Sequence, residues 1–501
     1  MAAPDEPQHV LILGAGIVGL CSAYYTLAAS ASPRVTLVEA SPSHRIASGA
    51  SSHAGGFLAC GPAWHDSPSR DLARLTWECH VELAAQLKGE ESYGWRECGA
   101  VGVSVGGRGE SRSKYRSLPG RKGRESLVER EEGTRMPPGE WVEGEREELS
   151  TEGGVGQVDP AQFCQTLHRY LETTFADRFD TRFGEATSIS RPCASLLSVA
   201  TDAIVASSSA STRSTLTFLP HPSPSSRSST PSAIQLPFDK LLITAGPWSA
   251  ALCAKLGLPA VPVSNLPGHS LLIRPALDAF VPSRSSSSVP AKKELPSEAV
   301  FAGIDGALGG MHSEAFGLAR GLTPAERAQG FTRSPELFVR RNGLVYVAGE
   351  NSIPRSARES EVGLDNKLPG TVDQVERMVD PTCVGRLRRA AGAVSPLLKE
   401  ENGAVVERMQ VGRPSRLPEV GLVSLTFTEF GQLCYRPISS DREPIVGKLD
   451  DDVFVATGHG PWGITLAPGT GKVVAEMLLG LELSADVSGL SPARFRRGKA
   501  Q

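Results

Sequence analysis

The sequence lacks several features that identify common classes of protein. Its nine cysteines include no Cys-x-x-Cys pair, and its ten histidines form no His-Glu-x-x-His motif, so neither a zinc ribbon, a dithiol redox centre nor a local metal site is predicted. Lysine and arginine number 52 against 55 aspartate and glutamate residues. This balance offers no basic excess for nucleic acid. The odd number of cysteines fits a reducing compartment better than a disulfide framework.

Long hydrophobic runs are also absent. The longest strongly apolar stretch, Val10 to Leu20, has 11 residues, whereas a membrane-spanning helix needs about 20. The first six residues lack the cationic start of a signal peptide. We therefore expect no membrane insertion and a soluble, cytoplasmic protein, with peripheral association with endosomal membranes through partner proteins as the alternative. A length of 501 residues predicts two or three domains.

A strand, a glycine-rich turn, a helix and a second strand are predicted within residues 9–39. The turn, Gly14-Ala-Gly16-Ile-Val-Gly19, directly follows an apolar run. Its first glycine permits a tight turn, Gly16 lets backbone approach a pyrophosphate, and Gly19 permits close helix packing. The helix N-terminus offers free N–H groups to the phosphates. Glu39 ends the second strand, where an acid can bind ribose hydroxyls, so the unit predicts a site for NAD or FAD.

Two stretches differ from this ordered texture. Residues 108–153 carry many charges of both signs, and residues 206–232 consist largely of Ser, Thr and Pro. Such compositions do not bury enough apolar surface to form a core. We expect both to be flexible insertions outside the packed core, as we do for the shorter serine run at 283–288. They are neutral length variation or, alternatively, surfaces for protein partners.

Four further segments resemble one flavoprotein family. They begin at Ser48, Leu242, Tyr435 and Val455 and read SGASSHAGGF, LITAGPW, YRPISSDREPIVG and VATGHGPWGITLAPGTG. In this order they resemble the D-amino acid oxidase-like flavoproteins, the group of glycine oxidase, sarcosine oxidase and their fungal relatives. The resemblance covers both ends of the chain well and the middle weakly, and it implies FAD rather than NAD.

The implied fold class is α/β. A Rossmann-type parallel-sheet domain of the glutathione-reductase-like kind binds FAD and is discontinuous in sequence, beside a mixed or antiparallel α+β substrate domain. A hairpin signal at Arg341-Asn-Gly343 fits the second domain. We expect the FAD-binding domain at 8–95, 156–250 and 425–485. The substrate domain is expected at 96–155 and 251–424.

The resemblance also assigns residues to FAD. The glycine loop, the ribose acid and the pyrophosphate and adenine contacts would be Gly14, Gly16, Ile17, Val18, Gly19, Glu39, Ala40, Ser51, Ser52, Gly55, Gly56, Phe57, Ala186 and Gly246. The isoalloxazine would be lined by Gly458, His459, Gly460, Pro461, Trp462, Gly463, Ile464 and Thr465. Behind them, Pro468-Gly-Thr-Gly471 is predicted to open a helix whose positive end suits reduced flavin. Its apolar side would carry Val473, Val474, Met477, Leu478 and Leu481.

Three residues are candidates for catalysis. The resemblance implies that Arg436 pairs with a substrate carboxylate, a task that suits a planar guanidinium; a structural salt bridge is the alternative. His459 is a candidate general base, although a hydrogen bond to flavin or backbone is the favoured alternative. Trp462 would form an aromatic wall, because Pro461 stands where the glycine oxidase pattern has a second arginine.

Two further residues receive structural interpretations. Cys434 stands where some sarcosine oxidases attach flavin covalently. Its Tyr-Arg-Pro neighbours resemble the noncovalent branch, so we expect noncovalent FAD. His269 begins a predicted strand of the substrate domain and is interpreted as structural. No metal site is predicted.

The implied function is FAD-dependent oxidation of the CH–NH bond of an amino acid or related amine, by hydride transfer to flavin. The expected acceptor is O2, giving H2O2, and a dehydrogenase that uses another acceptor stays open. The substrate and its chirality are not specified. The alternative function is an FAD-binding protein with a mainly interaction or intracellular-sorting role, in which the insertions contact protein partners.

Overall fold

The computed structural model describes residues 7–61, 64–106, 141–149, 154–192, 213–222, 232–277, 294–304, 334–351, 368–407 and 431–496. Its strands are β1 (His9–Leu13), β2 (Arg34–Glu39), β3 (Phe57–Ala59), β4 (Arg96–Glu97), β5 (Gly99–Val105), β6 (Glu145–Glu148), β7 (Val155–Gln157), β8 (Phe179–Ser190), β9 (Ser214–Pro220), β10 (Ile234–Phe238), β11 (Lys240–Ile243), β12 (Val263–Arg274), β13 (Glu298–Ile304), β14 (Glu336–Val339), β15 (Val345–Glu350), β16 (Val405–Glu407), β17 (Gln432–Ser439), β18 (Ile445–Lys448) and β19 (Val453–Thr457).

The α-helices of the described residues are α1 (Ile17–Ala29), α2 (Ala50–His53), α3 (Arg70–Leu87), α4 (Gly89–Tyr93), α5 (Pro160–Thr174), α6 (Ser249–Lys255), α7 (Pro381–Val394) and α8 (Gly463–Leu479). Short 3₁₀ helices lie at Gly246–Trp248, Val372–Met378, Pro396–Leu398, Glu400–Asn402, Gly460–Trp462, Ser488–Leu490 and Pro492–Phe495. Among the described residues, no helix combines the length and the apolar character needed to cross a bilayer.

The first large sheet has the strand order β10-β9-β8-β2-β1-β11-β19-β18. The five strands from β8 to β19 are parallel, and antiparallel strands flank them on both sides. Val10 and Ile12 pack with residues of α1, α3, α5 and α8, while Leu11 and Leu13 pack on the opposite face with residues of α6. Burial of both faces is typical of a parallel sheet, and the predicted parallel crossover from β1 through α1 to β2 is confirmed.

The second large sheet has the order β16-β12-β15-β14-β13-β5-β6, and β17 also pairs with β12. Its strands are antiparallel except for the parallel pair of β5 and β13. Leu337 and Val339 of β14 pack in a core with residues of α7, whereas Phe338 lies in a separate core on the opposite face. The predicted hairpin is present, because β14 and β15 are joined through a turn in which Gly343 has φ +79°. The α/β fold class with a parallel and a mixed sheet is confirmed.

β17 lies in the second sheet, although its residues fall within the sequence range 425–485 predicted for the FAD-binding domain. It pairs with β12 along its length, from Val263 opposite Ser439 to Ser270 opposite Gln432. The two strands are far apart in sequence, so local sequence patterns do not predict their pairing. A motif that is contiguous in sequence is therefore divided between the two sheets.

Parts of the predicted insertions belong to the core, so the expectation that these ranges lie outside it is wrong there. Trp141 is buried and donates from Nε1 to Glu298 Oε2 at 2.9 Å, and β6 pairs with β5. Leu216 and Phe218 of β9 are buried in the first sheet. In β9 the apolar residues alternate with Ser and Thr, and averaged composition does not show this period. The ranges 108–140, 150–153, 206–212, 223–231 and 283–288 lie outside the described residues.

Helix α8 begins at Gly463, so the prediction that the Pro468-Gly-Thr-Gly471 segment opens a helix is wrong. Pro468 lies inside the helix and has no N–H to bond the carbonyl of Ile464. His80 Nε2 lies 3.2 Å from that carbonyl oxygen and 3.0 Å from that of Thr465. This side chain satisfies the carbonyl group that proline leaves without its helical partner.

The glycines of the same segment serve helix packing. A Cβ atom on Gly471 would lie 2.6 Å from the Cβ atom of Cys21, so α8 packs against α1 only with a bare backbone here. Val473, Val474 and Leu478 are buried as predicted, and Met477 is partly buried. Leu481 is 49% exposed, because the helix has already ended at Leu479.

A buried ion pair joins the second sheet to the helices of the first. Arg340, which follows β14, donates from Nη1 to Asp159 Oδ2 at 2.9 Å and from Nη2 to the carbonyl oxygen of Ala54 at 3.2 Å. The two side chains are 3% and 14% exposed. Asp159 also caps α5, where it accepts from the amide of Gln162. The guanidinium lies 5.4 Å above the centroid of the Tyr346 ring.

We expect Arg340→Met to lower the free energy of unfolding by about 3 kcal/mol, because Asp159 would keep a buried charge without its partner. Urea unfolding followed by circular dichroism measures this. Arg341→Met is the matched control, since Arg341 pairs with Glu90 at the surface, where the side chains are 44% and 67% exposed, and such pairs contribute less than about 1 kcal/mol. Equal losses in the two variants would show that Arg340 does not join the two halves.

Candidate functional site

A cavity of about 420 Å³ lies between the two large sheets. One wall is formed by residues at the carboxyl ends of β1, β2, β11 and β19, and the other by residues of β13, β14, β15 and β17. Ligands of open α/β sheets bind at the carboxyl ends of parallel strands, so this cavity is the candidate functional site.

The glycine loop forms part of the cavity wall, and the backbone at its first glycine is held tightly against Thr244. Gly14 has φ +119°, and a Cβ atom there would lie 2.5 Å from the carbonyl oxygen of Thr244. Thr244 Oγ1 donates to the carbonyl oxygen of Gly14 at 2.9 Å. At Gly16, by contrast, a Cβ atom would meet Ser51 Oγ at 3.2 Å and no other atom of the described residues within 4 Å. Gly14 is therefore required by the fold, whereas Gly16 keeps space open in the cavity.

The N-terminus of α1 points its first amides toward this space. Gly16 is the N-cap and supplies no side chain to cap the helix. Ile17 N–H donates to Ser51 Oγ at 3.0 Å, and the first backbone bond of the helix runs from Leu20 N–H to the carbonyl oxygen of Gly16. The remaining N–H groups of the first turn and the helix dipole favour an anion here.

Glu39 lies at the end of β2, beside the glycine loop. Its Oε2 accepts from the amide of Ala15 at 2.9 Å, and its Oε1 accepts from the amide of Ser41 at 3.0 Å. Burial raises the pKa of Glu39 to about 7, although these amides act in the opposite direction. The carboxyl group is thus positioned to accept hydroxyl donors, and such donors would favour its charged form.

The same cavity wall contains a buried polar atom without a hydrogen-bond partner among the described residues. Ser48 Oγ is buried and, in the described part of the chain, has no hydrogen-bond partner. Buried hydroxyl groups are normally satisfied, so a polar ligand fits this position. Together with the open space at Gly16 and the carboxyl group of Glu39, this atom makes the residues present a good fit to a dinucleotide.

The opposite end of the cavity is formed by the segment from Ala456 to Ile464. His459 Nε2 lies 3.1 Å from Thr470 Oγ1 of α8, and burial lowers the pKa of His459 to about 4. The imidazole is therefore neutral at pH 7. The Trp462 ring lies 4.8 Å from that of His65 and 6.4 Å from that of Trp64, measured between centroids. The structure thus places Trp462 in an aromatic cluster at the cavity.

Aromatic side chains of the second sheet continue this wall. Phe57 and Phe338 stack with centroids 5.4 Å apart, and Phe338 stacks on Tyr346 at 6.0 Å. Phe301 meets Phe57 edge to face at 5.4 Å. The Tyr346 hydroxyl donates to the carbonyl oxygen of His53 at 2.9 Å. Of these rings only Phe57 was predicted. The other three lie on one face of the sheet because side chains alternate along β13, β14 and β15. The sequence shows this alternation but does not show that the face lines a cavity.

Arg436 of β17 reaches the cavity at this aromatic end. Its Nη2 donates to Asn351 Oδ1 and to the carbonyl oxygen of Pro267, the latter at 3.4 Å. The guanidinium lies against Gly268, where a Cβ atom would be 2.7 Å from Nη2. Arg436 Nε is buried and has no acceptor among the described residues. The guanidinium is thus held in place while part of its donor capacity is unused.

Two neighbours of Arg436 complete this part of the wall. Cys434 is buried in the cavity wall, and burial raises the pKa of its thiol, with Arg436 acting in the opposite direction. His269 is buried, and its Nε2 accepts from the amide of Asp380 at 3.1 Å. His269 also lines the cavity, which its interpretation as purely structural did not include.

Most residues that the sequence assigned to FAD lie in the cavity wall. The wall includes Gly14, Gly16, Ile17, Val18, Glu39, Ala40, Ser51, Gly55, Gly56, Phe57, Ala186, Gly246, His459, Gly460, Pro461, Trp462, Gly463 and Ile464. It does not include Gly19, Ser52, Gly458 and Thr465. Gly19 packs against Gly14 and Thr244, and Thr465 donates from Oγ1 to the carbonyl oxygen of Phe57 at 3.1 Å.

The sequence missed other cavity residues. They include Ser48, Trp248, Lys255, Gly268, Phe301, Glu336, Phe338, Tyr346, Asn351 and Val372. Within the described ranges, no group of three or more His, Cys, Asp or Glu side chains is placed to hold a metal ion.

Comparisons with known proteins agree with this geometry. Two relatives, both named as candidate oxidoreductases, match almost end to end. C1F5.03c of Schizosaccharomyces pombe is 24% identical over 97% of this chain and 98% of its own length, and TDA3 of Saccharomyces cerevisiae is 22% identical over 98% and 95%.

Solved structures share the fold. Iminodiacetate oxidase from Chelativorans sp. BNC1 superposes with a TM-score of 0.55 at 18% identity, covering 96% of this chain and 98% of that chain. Glycine oxidase from Geobacillus kaustophilus superposes with a TM-score of 0.53 at 16% identity, covering 97% and 99%. At such identities the likeness shows the fold.

The family is shown by a broader match. The family model described as "DAO: FAD dependent oxidoreductase" matches residues 9–334 and 414–477, which is most of the chain. These ranges contain the glycine loop, Glu39, Arg436 and the segment around Trp462. The chain is therefore a member of the DAO family of FAD-dependent oxidoreductases.

Proposed function

We propose that this protein oxidises the CH–NH bond of an amino acid or related amine, with O2 as the acceptor and H2O2 as product. The main observation behind the proposal is that one cavity contains both a site that fits a dinucleotide and a site that fits a carboxylate substrate. An uncapped helix N-terminus and Glu39 form one end, and Arg436 faces aromatic side chains at the other. Iminodiacetate oxidase and glycine oxidase, which share the fold, are named for reactions of this class.

FAD, when bound, would supply the hydride acceptor. We infer that the N-terminus of α1, at Ile17 and Val18, receives the pyrophosphate, that Glu39 accepts ribose hydroxyls, and that Ser48 Oγ gains a polar partner there. We further infer noncovalent attachment, because the raised pKa of the Cys434 thiol disfavours the thiolate that would form a covalent bond.

In this proposal the chain's own residues hold and orient the substrate. Arg436 binds its carboxylate, and the aromatic wall with Trp462 limits the orientations of the rest of the molecule. His459 is neutral and held by Thr470, which favours a positioning role over proton abstraction. Because hydride transfer requires a neutral amine with its C–H bond directed at the acceptor, orientation is the main contribution of the protein.

We also propose a cytoplasmic location for the protein. None of the eight described cysteines forms a disulfide bond, which supports a reducing compartment such as the cytoplasm. Partner binding through the insertions concerns segments that lie largely outside the described residues.

The reaction is tested by mixing the purified yellow protein with glycine, sarcosine, D- and L-amino acids and glycated amines in the absence of air. We expect at least one amino acid to bleach the flavin absorbance. With that compound, Arg436→Met should raise the apparent KM and slow flavin reduction, by about tenfold for each 1.4 kcal/mol of binding lost.

Arg70→Met is the control, because Arg70 pairs with Asp66 at the surface. It should reduce flavin like the parent protein. Oxidation of carboxylate substrates by Arg436→Met at the parental rate would contradict the role of Arg436. A flavin that no compound of the panel reduces would contradict the proposed reaction.

The cofactor position is tested by Gly16→Val. A branched side chain would fill the space that Gly16 keeps open in the cavity, so we expect a folded protein with little bound flavin. Gly99→Val is the matched control, since a Cβ atom there has no neighbour closer than 4.0 Å and valine suits a strand. Flavin content is read from the ratio of visible to protein absorbance. Full flavin content in Gly16→Val would mean that the pyrophosphate binds elsewhere.

The raised pKa of Glu39 predicts that FAD binding depends on pH. In the flavin-free protein the carboxyl group stays protonated up to about pH 7, and hydroxyl donors of the ribose favour the ionised form. Binding should therefore release a proton, so that FAD affinity rises with pH up to about pH 7 and is constant above. Titration of the flavin-free protein at several pH values measures this.

Glu39→Gln has no carboxyl group to titrate. Its FAD affinity should be lower than that of the parent protein at pH 8 and nearly independent of pH. If the parent protein binds FAD equally well at pH 5 and pH 8, Glu39 does not receive the ribose.

A further inference from the structure

Glu336 is a charged residue of the cavity wall that the proposed mechanism does not use. It is the first residue of β14, and side chains alternate along a strand. Leu337 and Val339 lie in the core with residues of α7, whereas Phe338 lies in the aromatic wall. Glu336 shares the face of Phe338, and it lines the cavity. Its carboxyl group is therefore directed at the aromatic end.

The strand partners of Glu336 fix this placement. It lies opposite Phe301 of β13 and opposite Ala348 of β15. Both partners line the cavity as well. A shift of register by one residue would turn Glu336 into the apolar core of Leu337, so the pairing of three strands holds the carboxyl group in the cavity.

Arg436 is the charged neighbour that acts on Glu336. Burial raises the pKa of the Glu336 carboxyl, and Arg436 acts in the opposite direction. Among the described residues no ion pair joins the two, and Arg436 instead donates to Asn351 and to the carbonyl oxygen of Pro267. At its aromatic end the cavity thus presents a guanidinium and a carboxyl group that influence each other without direct contact.

This arrangement distinguishes between classes of ligand. A simple carboxylate is attracted by Arg436 and repelled by Glu336. A ligand that carries both a carboxylate and a cationic nitrogen offers a partner to each group. Since a partly buried carboxylate without a cationic partner is costly, a zwitterion complements the cavity better than an anion does.

We propose that Glu336 is a specificity-determining residue that receives the cationic nitrogen of the substrate while Arg436 holds its carboxylate. The bound ammonium then gives one proton to the Glu336 carboxylate, which leaves the neutral amine that hydride transfer requires. The site then selects amino acids over carboxylic acids of the same shape. The assignment rests on the proposed function in one respect, namely that the substrate occupies this end of the cavity. It adds a residue that the motifs of the sequence do not indicate.

The test compares two probes that differ by an amino group. These are phenylalanine, as each enantiomer, and 3-phenylpropionate, whose rings suit the aromatic wall. Dissociation constants are measured on the flavin-loaded protein without air, from the change in flavin absorbance or, where phenylalanine reduces the flavin, from the concentration dependence of the reduction rate.

We expect Glu336→Gln to change the two affinities in opposite directions. Loss of a charge-assisted hydrogen bond should weaken binding of the preferred enantiomer of phenylalanine by about tenfold or more. Loss of repulsion should tighten binding of 3-phenylpropionate. Arg436→Met should weaken both probes, and Glu336→Asp should keep part of the preference for phenylalanine.

Glu407→Gln is the matched control, because Glu407 is on the same sheet but pairs with Arg274 on the surface. It should bind both probes like the parent protein. A change in the same direction for both probes in Glu336→Gln would show that Glu336 only balances the charge of Arg436 and would overturn the proposal. Opposite changes without any flavin reduction would support the assignment of Glu336 while contradicting the proposed oxidation.

Discussion

The close approach of Gly14 to Thr244 is the constraint on which the site depends. The positive φ of Gly14 and the 2.5 Å separation that a Cβ atom would have from the Thr244 carbonyl oxygen allow only glycine there. This contact brings together the carboxyl ends of β1 and β11 and sets the direction of α1. Bare backbone at Gly16 then faces the cavity, and the side chain of Glu39 closes over the loop through the Ala15 amide.

The second sheet forms the other half of the site through the alternation of side chains along its strands. Its two-residue alternation separates an apolar face, packed on α7, from a face of aromatic and charged side chains. The pair of Arg340 and Asp159 joins this sheet to the dinucleotide side. As a result Arg436 and Glu336 line the same cavity as the glycine loop. In the proposed function this arrangement separates binding of the cofactor from selection of the substrate.

What the sequence could and could not predict follows from the range of the interactions involved. The glycine loop and Glu39 depend on local order along the chain, and Arg436 belongs to a recognisable motif. Glu336 acquires its position through pairing of β14 with its hairpin partner β15 and with β13, which lies farther away in sequence. The pairing with β13 is not predicted by a local pattern. The burial of Trp141 was not predicted, because this residue lies in a mixed-charge stretch of the sequence. The start of α8 was predicted wrongly, because His80 bonds the carbonyl group that has lost its helical partner at Pro468.

In the proposed function one cavity holds the dinucleotide and, beside it, an amino-acid-like substrate. A crystal structure of the flavin-loaded protein with an unreactive carboxylate ligand tests it most directly. We expect the pyrophosphate at the N-terminus of α1, beside Ile17 and Val18, and the carboxylate of the ligand on the guanidinium of Arg436. A dinucleotide outside this cavity, or a ligand carboxylate bound away from Arg436, would contradict it.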